Sequence, residues 1–193
     1  LKLKKKSLIS KNVTSKKNTL AVRFPSHRLT RNLLKQLNYP LAAPSANIST
    51  KISPVSKKDV KDEFGKKVKL ILDGGQSKIG VESTIINLIK KPQILRLGGI
   101  PKEDIKKYLN SHLAYIKKSK INSPGQETTH YSPYIRLRLN IKKPNRNEAF
   151  ILIKKRKKMN KNYFYLSKKN NLKEAAKNLY TTLRLIKNKN YKS

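Results

Sequence analysis

The chain has 193 residues, with 47 Lys and Arg against 10 Asp and Glu, a formal net charge of +37. Hydrophobic residues make up 36%, below the roughly 45–50% usual in globular domains. No apolar run approaches the ~20 residues of a membrane-spanning helix. No signal-peptide pattern is present, and the absence of cysteine excludes a disulfide scaffold and a Cys-ligated zinc site. Three scattered histidines, His27, His112 and His130, argue against a His-rich metal site. Full disorder is the other outcome for so basic a chain, but short periodic apolar blocks punctuated by Gly and Pro oppose it. A charge of this size attracts any polyanion at low salt. Lys far outnumbers Arg, however, and dedicated phosphate readers lean on Arg. The chain opens Leu1-Lys2-Leu3 and its single methionine is Met159, which reads as a fragment that begins inside a domain.

In chain order, Thr19-Leu20-Ala21-Val22-Arg23-Phe24 reads as a strand closed by Pro25. Ser26 is an N-cap candidate, and Leu29, Leu33, Leu34 and Leu37 at helical spacing predict an amphipathic helix over 27–38. After Pro40, Leu41-Ala42-Ala43 reads as a short buried strand leading into Pro44-Ser45-Ala46-Asn47. Ser56 with Asp59 three residues on forms a capping-box-like start for a helix to Phe64. Val68–Asp73 is an expected strand ending at Gly74-Gly75. Residues 83–88 and 93–96 are two more, with a hairpin turn at Lys91-Pro92. Pro101 opens a helix to about Leu109. Residues 114–134 read as an ordered linker, followed by strands near 135–141, 149–154 and 162–166 and a helix over 172–187. Alternating helices and strands give an α/β (α+β) fold.

The chemistry is bounded by what is missing. No carboxylate pair, Ser/His triad spacing, Walker loop or dinucleotide fingerprint is present. Catalysis would therefore rest on polar and cationic groups that hold anions, which suits phosphoryl or nucleotidyl transfer. Pro44-Ser45-Ala46-Asn47 follows an apolar strand, and ligands of α/β sheets bind at carboxyl ends of strands. A hydroxyl and an amide two residues apart can clamp phosphate oxygens; the same residues also make an ordinary turn. Arg23 and Arg96 each sit late in an apolar strand and need an anion or the surface, a carboxylate suiting the planar fork. Gly98-Gly99 after Arg96 permits close backbone approach. Glu82-Ser83-Thr84 places hydroxyls at a strand start. Ser123-Pro124-Gly125 through His130-Tyr131-Ser132-Pro133 is long for a structureless connection and suits a lid. The lysine runs at 4–6 and 154–158 read as solvated loops.

Taken together, Thr19–Pro25, Pro44–Asn47, Gly80-Val81-Glu82-Ser83-Thr84, Ile94-Leu95-Arg96 with Gly98-Gly99, and Ser123–Gly125 with His130–Pro133 resemble the YrdC-like threonylcarbamoyl-AMP synthases of the two-domain branch. The resemblance implies a YrdC-like twisted mixed sheet over 1–113, an interdomain linker or lid over 114–134, and a partial Rossmann-like αβ domain over 135–193. It implies a cytoplasmic, membrane-free enzyme that makes L-threonylcarbamoyladenylate from L-threonine, bicarbonate and ATP, with Mg²⁺ accompanying ATP and pyrophosphate leaving. The product feeds threonylcarbamoyladenosine formation in tRNA through a downstream tRNA threonylcarbamoyl transferase. By the same resemblance, Arg23, Ala43 and Ser83 hold threonine. Thr19, Ser45, Asn47, Ser53, Arg96, His130 and Tyr131 hold ATP. The family's Lys-x-Arg pair and Thr-rich Tyr-Gly-Leu segment are absent from these 193 residues, so the chain alone is expected to be inactive. The alternative reading is a non-catalytic module of the same fold that binds tRNA or double-stranded RNA.

Overall fold

The structure is a computed structural model that describes residues 1–5, 7–109, 113–115, 131–156, 160–189 and 191–193. Helix α1 spans Arg28–Lys35. Its N-cap is His27, with no side-chain cap hydrogen bond, so Ser26 does not cap it. Helix α2, Lys57–Phe64, begins with the expected capping box. Ser56 Oγ accepts from the Asp59 N–H, and the Asp59 carboxylate accepts from the N–H groups of Ser56 and Val55. Two orphan donors of the helix start are thereby satisfied reciprocally.

A hairpin follows. Strand β1, Ile85–Asn87, pairs antiparallel with β2, Gln93–Arg96, with an irregularity between Ile85 and Ile86. Strand β3, Ala114–Tyr115, adds parallel to the other side of β2, giving the order β1-β2-β3. Helix α3, Lys102–Lys106, follows Pro101 and is shorter than the expected run to Leu109. The central strand and this helix bury Ile94, Ile105 and Leu113, with Ile86 and Leu109 packed against them.

The carboxyl-terminal part pairs β4, Phe150–Lys154, parallel with β5, Tyr163–Ser167. Helix α4, Leu172–Lys187, then folds back, burying Ala175, Tyr180 and Ile186. Its start is fixed by side chains. Asn171 accepts from the N–H groups of Lys173 and Glu174, and Ser167 Oγ accepts from those of Lys169 and Asn171 while donating to Glu174. The apolar spacing Leu172, Ala175, Ala176, Leu179, Leu183 and Ile186 predicts the packed face of α4; Leu172, in its first turn, is nevertheless exposed.

Four expected strands are not formed. Residues 19–24, 41–43, 68–73 and 135–141 lie outside the regular strands, apart from a single bridge between Thr19 and Lys2. Val22, Phe24, Leu41, Leu70, Leu72, Leu137 and Leu139 are correspondingly exposed. Apolar alternation makes a segment fit for a sheet, but a ladder needs a hydrogen-bonding neighbour. Among the described residues 41–43, 68–73 and 135–141 join no ladder, and 19–24 has only short pairing at its start, where Leu20 and Leu1 exchange N–H···O bonds. The stripe of α1 shares this exposure, with Leu29 and Leu33 both open to solvent.

No helix among the described residues is long and apolar enough to cross a membrane.

Candidate functional site

The loop that follows the Pro44–Asn47 motif is pinned by Asn47. Its amide Nδ2 donates to the carbonyls of Ile48 (2.9 Å) and Lys51 (3.0 Å), and its Oδ1 accepts from Ser53 Oγ at 3.5 Å. Ile52 and Val55 are buried on either side, and the capping box of α2 fixes the exit. Ser53 is thus held at one level between two apolar anchors. The Ser77 N–H donates to the Val55 carbonyl at 2.7 Å, bringing the approach to β1 alongside.

Two glycines make the close approaches. Gly80 has φ of 78°, and a Cβ there would lie 2.2 Å from the Lys177 carbonyl oxygen of α4. A Cβ on Gly98 would meet the Glu82 carbonyl oxygen at 2.3 Å. The 80–84 segment therefore runs between α4 on one side and the Gly98-Gly99 turn on the other, with the Gly99 N–H donating to the Glu82 carbonyl at 2.8 Å.

These elements line an open cavity of about 240 Å³ bordered by Arg23, Ser53, Val55, Glu82, Ser83 and Tyr180, among others. Its volume lies below the roughly 300–1,000 Å³ of sites for drug-sized ligands, and suits something of amino-acid size. Arg23 reaches it with no carboxylate partner among the described residues. Ser53 Oγ donates to the Glu82 carboxylate. Arg96 stands behind this wall. Its Nε and Nη2 donate to the Ser83 carbonyl (3.1 and 2.9 Å), Nη2 also to Ser83 Oγ (3.2 Å), and Nη1 to the Tyr131 hydroxyl (2.9 Å). The Glu82 carboxylate lies 3.9 Å from its Nη2.

Tyr131 stacks on Tyr180 of α4, with ring centroids 5.9 Å apart. Burial, reinforced by the Glu82 carboxylate, pushes both hydroxyls above the ordinary tyrosine range, while the Arg96 guanidinium works against the shift. Both tyrosines are therefore neutral near pH 7 and act as hydrogen-bonding and stacking groups.

Of the residues singled out in the sequence, Arg23, Ser53 and Ser83 line one cavity. Arg96 and Tyr131 join it through Ser83, and Asn47 through Ser53. Thr19, Ala43 and Ser45 do not line it: Thr19 bridges to Lys2, and Ala43 and Ser45 are exposed. His130 lies outside the described residues. Sequence reasoning missed Tyr180 and gave Glu82 no role. A tyrosine between Ala176 and Leu183 on the apolar side of α4 was the available signal. For Glu82 there was none, since a carboxylate turned inward onto a serine is a tertiary fact.

Among the described residues no group of three His, Cys, Asp or Glu is placed to hold a metal ion. The cavity's donor set is the Glu82 carboxylate and hydroxyls. That set fits a Mg²⁺ carried on phosphates, which takes one or two carboxylates from the protein.

A family model described as telomere recombination (Sua5/YciO/YrdC) matches residues 1–98, and one described as the carboxyl-terminal domain of threonylcarbamoyl-AMP synthase matches residues 100–192. The chain is similar to the threonylcarbamoyl-AMP synthases of Pyrococcus abyssi (41% identical over 139 residues, 69% of this chain and 41% of that protein) and Schizosaccharomyces pombe (41% over 136 residues, 65% and 33%). That of Bacillus subtilis is 38% identical over 135 residues, 67% of this chain and 39% of that protein. The matched stretches thus cover well under two thirds of these relatives' own length. The crystal structure of P. abyssi Sua5 complexed with L-threonine superposes with a TM-score of 0.75 at 28% identity, over 94% of this chain and 59% of that one. The serines and arginines gathered at one cavity, the tyrosine packed on α4 and the two matched domains have one common explanation: this chain belongs to the Sua5/YciO/YrdC family, in the branch that carries the carboxyl-terminal threonylcarbamoyl-AMP synthase domain.

Proposed function

We propose that the cavity is the threonine site of an L-threonylcarbamoyladenylate synthase, and that this chain supplies that part of the enzyme. The observation that carries the reading is the convergence of Arg23, which has no carboxylate partner among the described residues, with Ser53 and Ser83 in one cavity of amino-acid size. A guanidinium fork suits a carboxylate, and Ser83 offers a hydroxyl to the amino acid's polar groups; Ser53, which the resemblance gave to ATP, lines the same cavity and is read here with the amino acid. The structure of P. abyssi Sua5 with L-threonine supports the choice of amino acid.

The chemistry sets the remaining requirements. Threonine nitrogen and bicarbonate form a carbamate with loss of water. A carbamate oxygen then attacks the α-phosphorus of ATP, and pyrophosphate leaves with the electron pair of the broken P–O bond. Two anions must approach each other, so catalysis consists largely of charge neutralisation and alignment. Arg96, next to Ser83 and Tyr131, is the guanidinium we assign to the nucleotide's phosphates. Mg²⁺ on the triphosphate would add positive charge there, with Glu82 as the nearest protein carboxylate. Carbamates and mixed anhydrides hydrolyse, so water must be excluded; the stacked Tyr131 and Tyr180 supply apolar cover. We place the activity in the cytoplasm, with tRNA modification as its destination.

Titration calorimetry with L-threonine tests the reading. Binding that weakens about tenfold or more in Arg23→Gln, as expected for loss of a charged hydrogen-bonding partner, supports it. Absence of threonine binding to the wild-type chain overturns it. The net charge of +37 favours a second reading as an RNA-binding module. That reading requires affinity for duplex RNA that falls steeply with salt and is indifferent to Arg23→Gln.

A further inference from the structure

Helix α4 belongs to the carboxyl-terminal domain, yet one of its faces is built into the site. Tyr180 lines the cavity and underlies Tyr131. Arg184, one turn further along, lies on the same face of the helix. Its Nη2 donates to the carbonyl of Ile52, the residue before Ser53, and its Nη1 lies 3.5 Å from the Glu63 carboxylate of α2. Glu63 is also 3.4 Å from Lys51, and its side chain is only 9% exposed. A single guanidinium thus ties α4 to the backbone that carries Ser53 and to the helix that follows it.

The segment after the linker docks on the same loop. The Ser132 N–H donates to the Thr50 carbonyl at 2.9 Å, Ser132 bridges to Lys51, and the hydroxyls of Thr50 and Tyr134 hydrogen-bond. At this junction Thr50, Tyr131 and Tyr134 all adopt left-handed backbone conformations, with φ of 70°, 55° and 57°. Such conformations are unfavourable for a β-branched or bulky residue, and they persist only where the surroundings over-determine them. Tyr131 is held against a buried cluster of Ile52, Val55 and Tyr180, with Leu179 and Leu183 packed on the same cluster, and Thr50 and Tyr134 are held by their mutual hydroxyl contact.

We propose that Arg184 and Tyr180 are positioning residues for the site: Arg184 sets the height of Ser53 through the Ile52 carbonyl, and Tyr180 holds the Tyr131 hydroxyl against Arg96. The carboxyl-terminal domain is then part of the binding machinery, and loosening α4 disorganises Ser53 and Tyr131 together. The functional consequence rests on the reading of the cavity as the threonine site; the positioning itself does not.

The test therefore has one readout that needs no ligand. With ¹³Cζ-labelled tyrosine, the Tyr131 hydroxyl is titrated by NMR in the wild type and in Arg184→Met, Arg184→Lys, Tyr180→Leu and Tyr180→Phe. The charged groups facing this hydroxyl are Glu82 and Arg96. Raised titration in the wild type that returns to about 10 in Arg184→Met and Tyr180→Leu, but not in Arg184→Lys or Tyr180→Phe, supports the proposal. Folded Arg184→Met and Tyr180→Leu proteins that retain the wild-type Tyr131 titration overturn it. Should Arg184→Met not fold, the contrast between Tyr180→Leu and Tyr180→Phe decides in its place, by the same titration. L-threonine calorimetry on the same set is the second arm. A loss of about tenfold in Arg184→Met, with near wild-type affinity in Arg184→Lys, supports the link to the site. Loss of affinity in neither variant, against a wild type that binds, overturns that link.

Discussion

Tyr131 and Tyr180 stack with an interplanar angle of 28°, although 49 positions separate them and they belong to the linker and to the last helix. The stack closes a chain of contacts that runs from α4 through the Tyr131 hydroxyl to Arg96 and on to Ser83. No segment of the cavity wall is fixed by local structure alone. The Ser53 loop is tied to α4 through Arg184, and Ser83 to the linker tyrosine through Arg96.

Arg96 tests that chain from its centre. Its fork serves the Ser83 carbonyl, the Ser83 hydroxyl and the Tyr131 hydroxyl at once. A lysine cannot reproduce that planar geometry. Arg96→Lys is expected to cost about 1–3 kcal/mol in urea unfolding and to weaken L-threonine binding through Ser83.

Gly80→Ala is expected to be destabilising although it adds one methyl group. The new Cβ would stand 2.2 Å from a helix carbonyl, and the backbone at φ 78° disfavours any side chain. The loss should exceed about 1 kcal/mol in thermal unfolding. A change within experimental error would show that α4 does not press on this segment.

Glu148 predicts the acid limb of stability. The Asn145 backbone N–H, then Arg138, Ser193 and the Asn145 side chain, hold its carboxyl at about 2 against an ordinary 4.5, with burial opposing them. A depressed folded value means that its contribution is present above pH 4.5 and is lost as pH falls towards 2. Glu148→Gln should flatten the unfolding midpoint across that window and leave a smaller difference between acid and neutral pH than the wild type shows.

Ser167, 1% exposed, accepts from two backbone N–H groups at the start of α4 and donates to Glu174. Ser167→Ala removes the acceptor of those two N–H groups and the donor to Glu174, at a cost of about 0.5–1.5 kcal/mol. Ser167→Thr keeps the hydroxyl and should recover part of the loss, both read from urea midpoints.

Much of the local structure was legible in the residues themselves. The capping box at Ser56 and Asp59, the hairpin around Lys91-Pro92 and the long helix over 172–187 follow from short-range hydrogen bonding and periodicity, which depend only on neighbours in sequence. The family resemblance, not periodicity, pointed to Arg23 and Ser83 for threonine and to Ser53 for ATP. What only the tertiary structure decided is pairing. Residues 19–24, 41–43 and 68–73 have strand-grade sequences and no ladder, because a strand is completed by a partner that its own sequence does not name. The same reason hid Tyr180 and Arg184. Their helix face was predictable, but the loop it meets, 52–55 with Tyr131 above it, is chosen by long-range packing, and no pattern of spacing encodes that choice.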